Sequence, residues 1–320
     1  MTAVILINLG TPNGPAVASV RSYLKEFLSD PFVIDIPFLL RWLLLNGVIL
    51  RTRPARSAAA YRKIWTSRGS PLLFHTVDLA AGVASALGPR FLVKPAMRYG
   101  QPSIENVVTQ LQSQQISRWI FVPLYPQYSY AATRTAEVEI RRVMERIPQA
   151  APWEILRDFP MEEGYLAASA EAIREAKSAF NPDHILFSYH GIPERHLGRA
   201  DSELKAHCLS RSDCCDSWGP HNRLCYSAQS FAGANELAKR LGLLKTEYSI
   251  SFQSRLGRTP WIKPFTDRVL GELPAQGVKR LLVACPSFVA DCLETLEEIA
   301  LRGREQFIAA GGEDLMLVPS

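Results

Sequence analysis

Short apolar segments alternate along the whole chain with longer stretches whose apolar residues recur at helical spacing. The short segments are rich in branched and aromatic residues, which is typical of strands buried on both faces. Eight of them are predicted to be strands: 3–9, 91–97, 119–125, 154–159, 184–190, 246–252, 278–285 and 315–319. The stretches 103–114, 136–147 and 233–242 are predicted to be helices.

Four predicted strands lie in each half of the chain. Because strands that alternate with helices form parallel sheets covered on both faces, we predict an α/β protein of two similar Rossmann-like domains, each a four-stranded parallel sheet flanked by helices. The predicted domains are 1–160, with an apolar segment at about 34–56, and 161–320, with a cysteine-rich insert at 207–226. We also consider that the last helix could pack back on the first domain.

The carboxyl end of the fifth predicted strand carries a histidine. The segment LFSYHGIPERH (186–196) runs from an apolar strand into His190 and then turns at Gly191 and Pro193. Ligands of doubly wound sheets bind outside the carboxyl ends of the strands, so His190 is a candidate for chemistry. A structural histidine held by hydrogen bonds is the alternative.

Familiar nucleotide and hydrolase motifs are absent from the sequence. No G-x-G-x-x-G or G-x-x-x-x-G-K-[ST] segment follows a predicted strand, and no G-x-S-x-G segment is present. Dinucleotide, ATP and serine-hydrolase chemistry are therefore not indicated.

A second candidate segment, 286–304, follows the seventh predicted strand and is predicted to begin a helix near Asp291. Asp291, Glu294 and Glu298 are then spaced along one helical face, with Glu297 beside them. A histidine facing carboxylates suits proton transfer and binding of a divalent cation. The alternative is a solvated acidic first turn, which the helix dipole would favour.

The histidine segment resembles the signature of ferrochelatases, the enzymes that insert ferrous iron into a porphyrin to make haem. Six further segments resemble blocks of the same family in the same order: INLGTP (7–12), IWTSRGSPL (64–72), MRYGQP (97–102), PLYPQYS (123–129), FQSRLGRTPW (252–261) and CPSFVADCLETLEE (285–298). The resemblance implies a lyase that inserts Fe²⁺ into protoporphyrin IX as the terminal step of haem biosynthesis.

The resemblance also implies roles for individual residues. It places the family's histidine at His190 and its catalytic glutamate at Glu294, with Asp291 and Glu298 behind them. His190 would accept a pyrrole proton or bind the incoming iron, and the carboxylates would carry protons out or metal in. Imidazole and carboxylate groups both suit Fe²⁺ as transient ligands.

Porphyrin contacts are expected from the matching blocks. Leu9 stands where relatives that use coproporphyrin typically carry tyrosine, which favours protoporphyrin IX. The candidates for aromatic walls are Tyr99, Tyr125, Tyr128 and Trp261. Arg98 is a candidate partner for a propionate. Arg51, Arg53 and Arg56 either share that role or belong to a solvated loop.

The segment FLLRWLLLNGVIL (38–50) corresponds to the family's apolar lip over the porphyrin mouth. It is too short to span a bilayer and is interrupted by Arg41 and Asn46. Contact with a membrane surface and burial as an ordinary helix are both open. We expect a cytoplasmic protein, with peripheral contact to the inner face of the cytoplasmic membrane as a further expectation.

The composition of the chain excludes few further classes of function. The chain of 320 residues is 47% apolar and 21% charged, as in ordinary globular proteins. Its formal net charge of +5 is mild for this length and does not indicate nucleic-acid binding.

Six cysteines need an explanation in a compartment where disulfides are rare. Cys208, Cys214, Cys215 and Cys225 lie within one short insert and could supply the four thiolates of a [2Fe–2S] cluster, as in some bacterial ferrochelatases. Zinc, with His207 and His221 as alternate ligands, and a structural role are the other possibilities. Cys285 and Cys292 are predicted to be buried small apolar residues.

Two rival functions remain open at this point. One is a non-catalytic tetrapyrrole or iron–sulfur carrier on the same fold. The other is a chelatase for another metal, such as cobalt, or for coproporphyrin. The pair His190 and Glu294 favours an enzyme, because a carrier does not need both.

Overall fold

The computed structural model describes residues 1–200, 209, 211, 213–255, 257 and 259–320. The chain forms two compact units, the first made of residues 1–125 and 130–158 and the second of residues 126–129 and 159–320. The change of unit at 158–159 lies close to the predicted domain boundary at 160–161. The short segment 126–129 belongs to the second unit, which the sequence pattern did not indicate.

The first unit is built on a four-stranded parallel sheet in the order β2-β1-β3-β4. Its strands are β1 (Thr2–Thr11), β2 (Phe91–Gly100), β3 (Arg118–Pro123) and β4 (Trp153–Ile155). At the carboxyl end of β1, Gly10 has φ +124°, and a Cβ there would lie 1.9 Å from the carbonyl oxygen of Tyr99. Only glycine therefore lets β1 and β2 stay paired to their ends.

Six α-helices and two short π-helices surround this sheet. The α-helices are α1 (Val17–Ser29), α2 (Phe38–Leu44), α3 (Leu50–Ile64), α4 (Pro71–Leu87), α5 (Ile104–Leu111) and α6 (Thr135–Met144). The π-helices are Leu45–Ile49 and Tyr130–Arg134. Helix α5 begins where the Ser103 hydroxyl accepts a hydrogen bond from the Asn106 amide, and it buries the apolar positions that predicted it.

The second unit repeats the plan with the strand order β6-β5-β7-β8, all parallel. Its strands are β5 (His184–His190), β6 (Tyr248–Gln253), β7 (Arg280–Ala284) and β8 (Asp314–Leu317). All eight predicted strands are thus present, and the predicted fold class is confirmed.

The helices of the second unit include a long π-helix. Among the described residues of this unit, the α-helices are α7 (Glu163–Phe180), α8 (Glu194–Ala200), α9 (Tyr226–Arg240), α10 (Thr266–Glu272) and α11 (Arg304–Ala309). Short 3₁₀ turns cover Pro220–Asn222 and Leu273–Gln276. The π-helix spans Leu293–Gly303 and is called the acidic helix below.

Strand β5 is buried on both faces, as its apolar residues at consecutive positions 185–187 predict. Phe187 lies in one core cluster, and Leu186 lies in the opposite one with Ile299 and Phe307. Phe307 comes from α11, so the last helix packs into the core of the second unit. The expected contact of this helix with the first domain stays a prediction.

A buried ion pair joins three elements of the first unit. At the end of α1, the Asp30 carboxylate accepts hydrogen bonds at 2.6 Å from Arg98 on β2, at 2.9 Å from Tyr99 and at 2.6 Å from Thr135 on α6. The Arg98 side chain is only 15% exposed, and its Nε also donates to the Thr135 hydroxyl. Every polar group of this network therefore has a partner inside the protein.

We expect Asp30→Asn to lower the free energy of unfolding by about 3 kcal/mol, because it leaves the Arg98 charge buried without its counterion. Urea-induced unfolding followed by circular dichroism measures the change. Asp78→Asn is the matched control, since it breaks the Arg68–Asp78 pair, which is largely exposed. This substitution should leave the midpoint of the urea transition unchanged. Equal free energies of unfolding for wild type and Asp30→Asn would contradict the expected contribution of this network to stability.

Candidate active site

His190 is the last residue of β5, and its backbone is fixed by two side chains. Its amide donates to the Ser287 hydroxyl at 3.0 Å, and its carbonyl accepts from the Tyr226 hydroxyl at 2.7 Å. Ser287 follows β7 and Tyr226 begins α9. The carboxyl ends of neighbouring strands and the start of a helix thus converge on this histidine, as expected for a doubly wound sheet.

The imidazole is oriented by the next residue. Nδ1 of His190 lies 2.5 Å from the carbonyl oxygen of Gly191, a distance that requires a proton on Nδ1. In the neutral ring the lone pair is then on Nε2. The ring therefore presents a nitrogen that can accept a proton or bind a metal ion.

Gly191 is required by a close approach of three segments. Its amide donates to the carbonyl oxygen of Gln253 at 2.7 Å. A Cβ on Gly191 would lie 2.7 Å from that oxygen and 3.3 Å from the ring of Trp261. Trp261 is half-buried and packs against the turn that follows His190, so the structure brings these two predicted site residues together.

The acidic helix starts later than predicted. It begins at Leu293 with Cys292 as its N-cap, whose amide donates to the Thr295 hydroxyl at 3.0 Å. Asp291 precedes the helix, is buried and accepts a hydrogen bond from the Thr295 hydroxyl at 2.8 Å. The expectation that Asp291 shares a helical face with Glu294 and Glu298 is therefore wrong, because the N-cap falls one residue after it.

Glu294 and Glu298 remain neighbours, one wide π-helical turn apart. Glu298 accepts hydrogen bonds from the Ser254 amide at 2.9 Å and from the Ser254 hydroxyl at 2.6 Å. Burial raises the pKa of Glu298, the charge of Glu294 adds to this effect, and the Ser254 contacts and the charge of His190 oppose it. His190, Glu294 and Glu298 are thus close enough for their charges to interact.

Two residues at the carboxyl end of β6, Gln253 and Ser254, were not predicted from the sequence. The Gln253 side chain donates to the carbonyl oxygen of Glu294 at 2.8 Å and accepts from the Ser188 hydroxyl at 2.8 Å. Ser254 holds Glu298 as described. Both lie at the carboxyl end of a strand inside a matching block, and that position could have identified them.

The remaining predicted porphyrin contacts have different surroundings. Leu9 is half-buried near the end of β1, whereas Tyr99, Tyr125 and Tyr128 are buried. The guanidinium of Arg98 binds Asp30 and Thr135, and the Tyr99 hydroxyl binds Asp30. In this geometry, Arg98 and Tyr99 stabilise the first unit and are not presented to a ligand.

The predicted apolar lip is exposed within the first unit. Phe38 is 71% exposed, and its neighbours Leu39, Leu40, Trp42, Leu43, Leu44 and Val48 are exposed as well. Arg51, Arg53 and Arg56, which follow the lip in sequence, lie on α3. Burial and the charge of Arg56 lower the pKa of Arg53. In the described part of the chain, every helix is too short or too polar to cross a membrane.

Three cysteines of the predicted cluster lie close to one another. The sulfur atoms of Cys214 and Cys215 are 3.7 Å apart, and Cys215 is hydrogen-bonded to Cys225, a contact that with burial raises its pKa. Cys208 and His207 lie outside the described residues. His221, the other alternate ligand, is exposed.

The described cysteines form no disulfide. The prediction that Cys285 and Cys292 are buried is confirmed. Burial raises the pKa of both thiols well above the ordinary range, so they are protonated at neutral pH. Within the described ranges, no three His, Cys, Asp or Glu side chains are arranged to hold a metal ion. The three described cysteines of the insert therefore do not form a complete metal site by themselves.

Comparison with known proteins identifies the family of the chain. The sequence profile of the family described as ferrochelatase matches residues 1–320. The ferrochelatase of Coxiella burnetii (strain Dugway 5J108-111) is 46% identical over 317 residues, which cover 99% of this chain and 88% of the relative. That of Stutzerimonas stutzeri (strain A1501) is 47% identical over 322 residues, covering 99% and 92%.

A solved structure shares the fold. SirB from Bacillus subtilis with Fe³⁺ superposes with a TM-score of 0.51 at 13% identity, covering 99% of this chain and 87% of that one. At this identity the likeness shows the two-sheet architecture alone. The match of the family profile over the whole length, together with relatives at nearly half identity, shows that the chain belongs to the ferrochelatase family.

Proposed function

We propose that this ferrochelatase inserts Fe²⁺ into protoporphyrin IX, and that His190 and Glu294 act at the reacting centre. Membership of the family supports the reaction class. The observation that carries the residue assignment is the imidazole of His190, held at the end of β5 by Gly191 and coupled by charge to Glu298. No comparable arrangement would be needed for binding alone.

The reaction requires a base and a path for protons. A free-base porphyrin carries two pyrrole N–H groups whose protons leave as the metal enters, and a neutral imidazole is suited to accept them. His190 presents Nε2 for this step. Glu294 and Glu298 follow it along the acidic helix and receive protons or guide the metal. The same nitrogen and oxygen atoms also suit Fe²⁺ as transient ligands.

Protoporphyrin IX is proposed over coproporphyrin because of Leu9. Its side chain packs against the apolar core of the first unit near the end of β1. An apolar residue there suits the vinyl groups of protoporphyrin better than the two additional propionates of coproporphyrin, which need polar or charged partners.

His190→Ala should lower the rate of metallation by at least a hundredfold while porphyrin binding stays within about threefold, because the base is lost and the pocket is kept. Anaerobic assays with Fe²⁺ and protoporphyrin IX, and fluorescence titration of the porphyrin, measure the two quantities. His75→Ala, on α4 of the first unit, is the control and should behave as wild type.

Turnover that survives in His190→Ala would contradict the assignment of this residue. A wild-type protein that binds protoporphyrin IX and never metallates it would instead favour a non-catalytic tetrapyrrole carrier. Metallation of coproporphyrin alone would reverse the argument from Leu9.

We also infer that the cysteine insert holds a [2Fe–2S] cluster with Cys208, Cys214, Cys215 and Cys225 as ligands. Soft thiolates at the distance between Cys214 and Cys215 suit such a cluster, and the paired C-x₂-C spacing of common zinc modules is missing. A bound cluster supplies a one-electron redox centre. Metal insertion needs no electron, so none of the steps above involves it.

Cys214→Ser should abolish the visible absorbance of the purified protein and reduce its iron content, because the cluster loses a ligand. Cys285→Ala removes a buried thiol outside the insert and should leave the spectrum unchanged. Elemental analysis separates the alternatives: a colourless wild-type protein with one zinc per chain would favour the zinc site.

Peripheral contact with the cytoplasmic membrane is the third proposal. Side chains on α2 expose a contiguous apolar surface, and arginines follow it on α3. Such a surface is suited to the boundary between headgroups and acyl chains of an anionic membrane. It would let the enzyme take up an apolar porphyrin at the inner face of that membrane.

We expect the double substitution Trp42→Ser and Leu43→Ser to weaken binding to anionic phospholipid vesicles more than tenfold, since each side chain loses its apolar transfer energy. Co-sedimentation at two salt concentrations measures the effect. Val77→Ser, an exposed apolar residue on α4, is the matched control. Equal sedimentation of the double variant and wild type would contradict the proposed contact.

A further inference from the structure

Ser254 has an unusual backbone for a residue with a side chain. It follows β6 directly and has φ +67°, in the left-handed region that favours glycine. A serine there carries a conformational cost that glycine would avoid. The function of its side chain is therefore of interest.

That side chain, together with the backbone of the same residue, binds one carboxylate. The Ser254 amide donates to Oε1 of Glu298 at 2.9 Å, and its hydroxyl donates to Oε2 at 2.6 Å. Among the described residues these are the only hydrogen bonds to that carboxylate. The left-handed backbone is what lets one residue reach both oxygen atoms.

Other groups around Glu298 are charged but do not fix its orientation. Nη2 of Arg302 is 3.9 Å away on a side chain that is largely exposed. His190 acts on it from the end of β5, and Glu294 acts from the same helix. Cys285 faces it from the end of β7. Without Ser254, no hydrogen bond from the described residues would fix the orientation of this carboxylate.

The residue before Ser254 reinforces the same link. Gln253 accepts the Gly191 amide on its carbonyl oxygen and donates from its side chain to the carbonyl of Glu294. Two consecutive residues thus tie the turn that carries His190 to the helix that carries both glutamates. Gln253 acts on the backbone, and Ser254 acts on a reacting group.

We propose that Ser254 is a positioning residue for metal insertion, which holds the Glu298 carboxylate in one orientation on the acidic helix, beside the turn that carries His190. The N–H bond of the pyrrole breaks, and its electron pair stays on nitrogen to bind iron. The proton passes to Nε2 of His190 and is then released to solvent past the carboxylates of the acidic helix, which returns the imidazole to its neutral form. This role rests on the proposed function.

Ser254→Gly tests the role with two readouts that should move in opposite directions. Loss of a hydrogen bond to a charged group should lower kcat for Fe²⁺ insertion into protoporphyrin IX about tenfold to a hundredfold. KM for the porphyrin should stay within twofold. The midpoint of thermal unfolding should stay the same or rise, because glycine relieves the left-handed backbone. A wild-type kcat in this variant would overturn the proposal.

A double-variant cycle tests whether Ser254 acts through Glu298. If it does, adding Ser254→Gly to Glu298→Gln should cause no further loss of kcat beyond that of Glu298→Gln alone. Losses that multiply in the double variant would overturn the proposal, since Ser254 would then act independently of the carboxylate.

Asn181→Gly is the matched control. Asn181 ends α7 in the same unit with φ +49°. The substitution should change the unfolding midpoint in the same direction as Ser254→Gly and leave kcat at the wild-type value. A wild-type protein without metallation overturns both the proposed function and this role, whereas an unaffected Ser254→Gly enzyme overturns the positioning role alone.

Discussion

The hydrogen bond between the Gly191 amide and the Gln253 carbonyl, at 2.7 Å, sets the geometry of the active site. It continues the pairing of β5 and β6 one step past the last strand residue, which aims His190 out of the sheet. Only glycine allows so close an approach. The carbonyl oxygen of Gly191 then orients the imidazole, and its bare Cα leaves room for the ring of Trp261.

The same junction places the carboxylates. Because Gln253 is held by Gly191, its side chain is directed at the backbone of Glu294, and the next residue, Ser254, reaches Glu298. Burial raises the pKa of Glu298, whereas the two hydrogen bonds from Ser254 oppose this rise because they favour the ionised carboxylate.

Much of this arrangement could be predicted from the sequence, because a strand buried on both faces leaves an unbroken apolar run whose end is easy to locate. The position of His190 followed from β5 alone. The start of the acidic helix did not, because a cap by the Thr295 hydroxyl moves it past Asp291. Nor could the partner of Arg98 be predicted, since Asp30 is distant in sequence and only the folded sheet brings them together.

A short series of contacts joins the cysteine insert to His190. Cys225, the last cysteine of the insert, is the N-cap of α9, and the first residue of that helix is Tyr226, whose hydroxyl donates to the His190 carbonyl at 2.7 Å. Tyr226 is buried, and burial keeps its hydroxyl protonated and therefore a donor. A displacement of Cys225 would move the start of α9 and with it this donor, because an N-cap fixes the first helical turn. The insert can therefore influence the backbone of His190, the proposed base, through the start of α9.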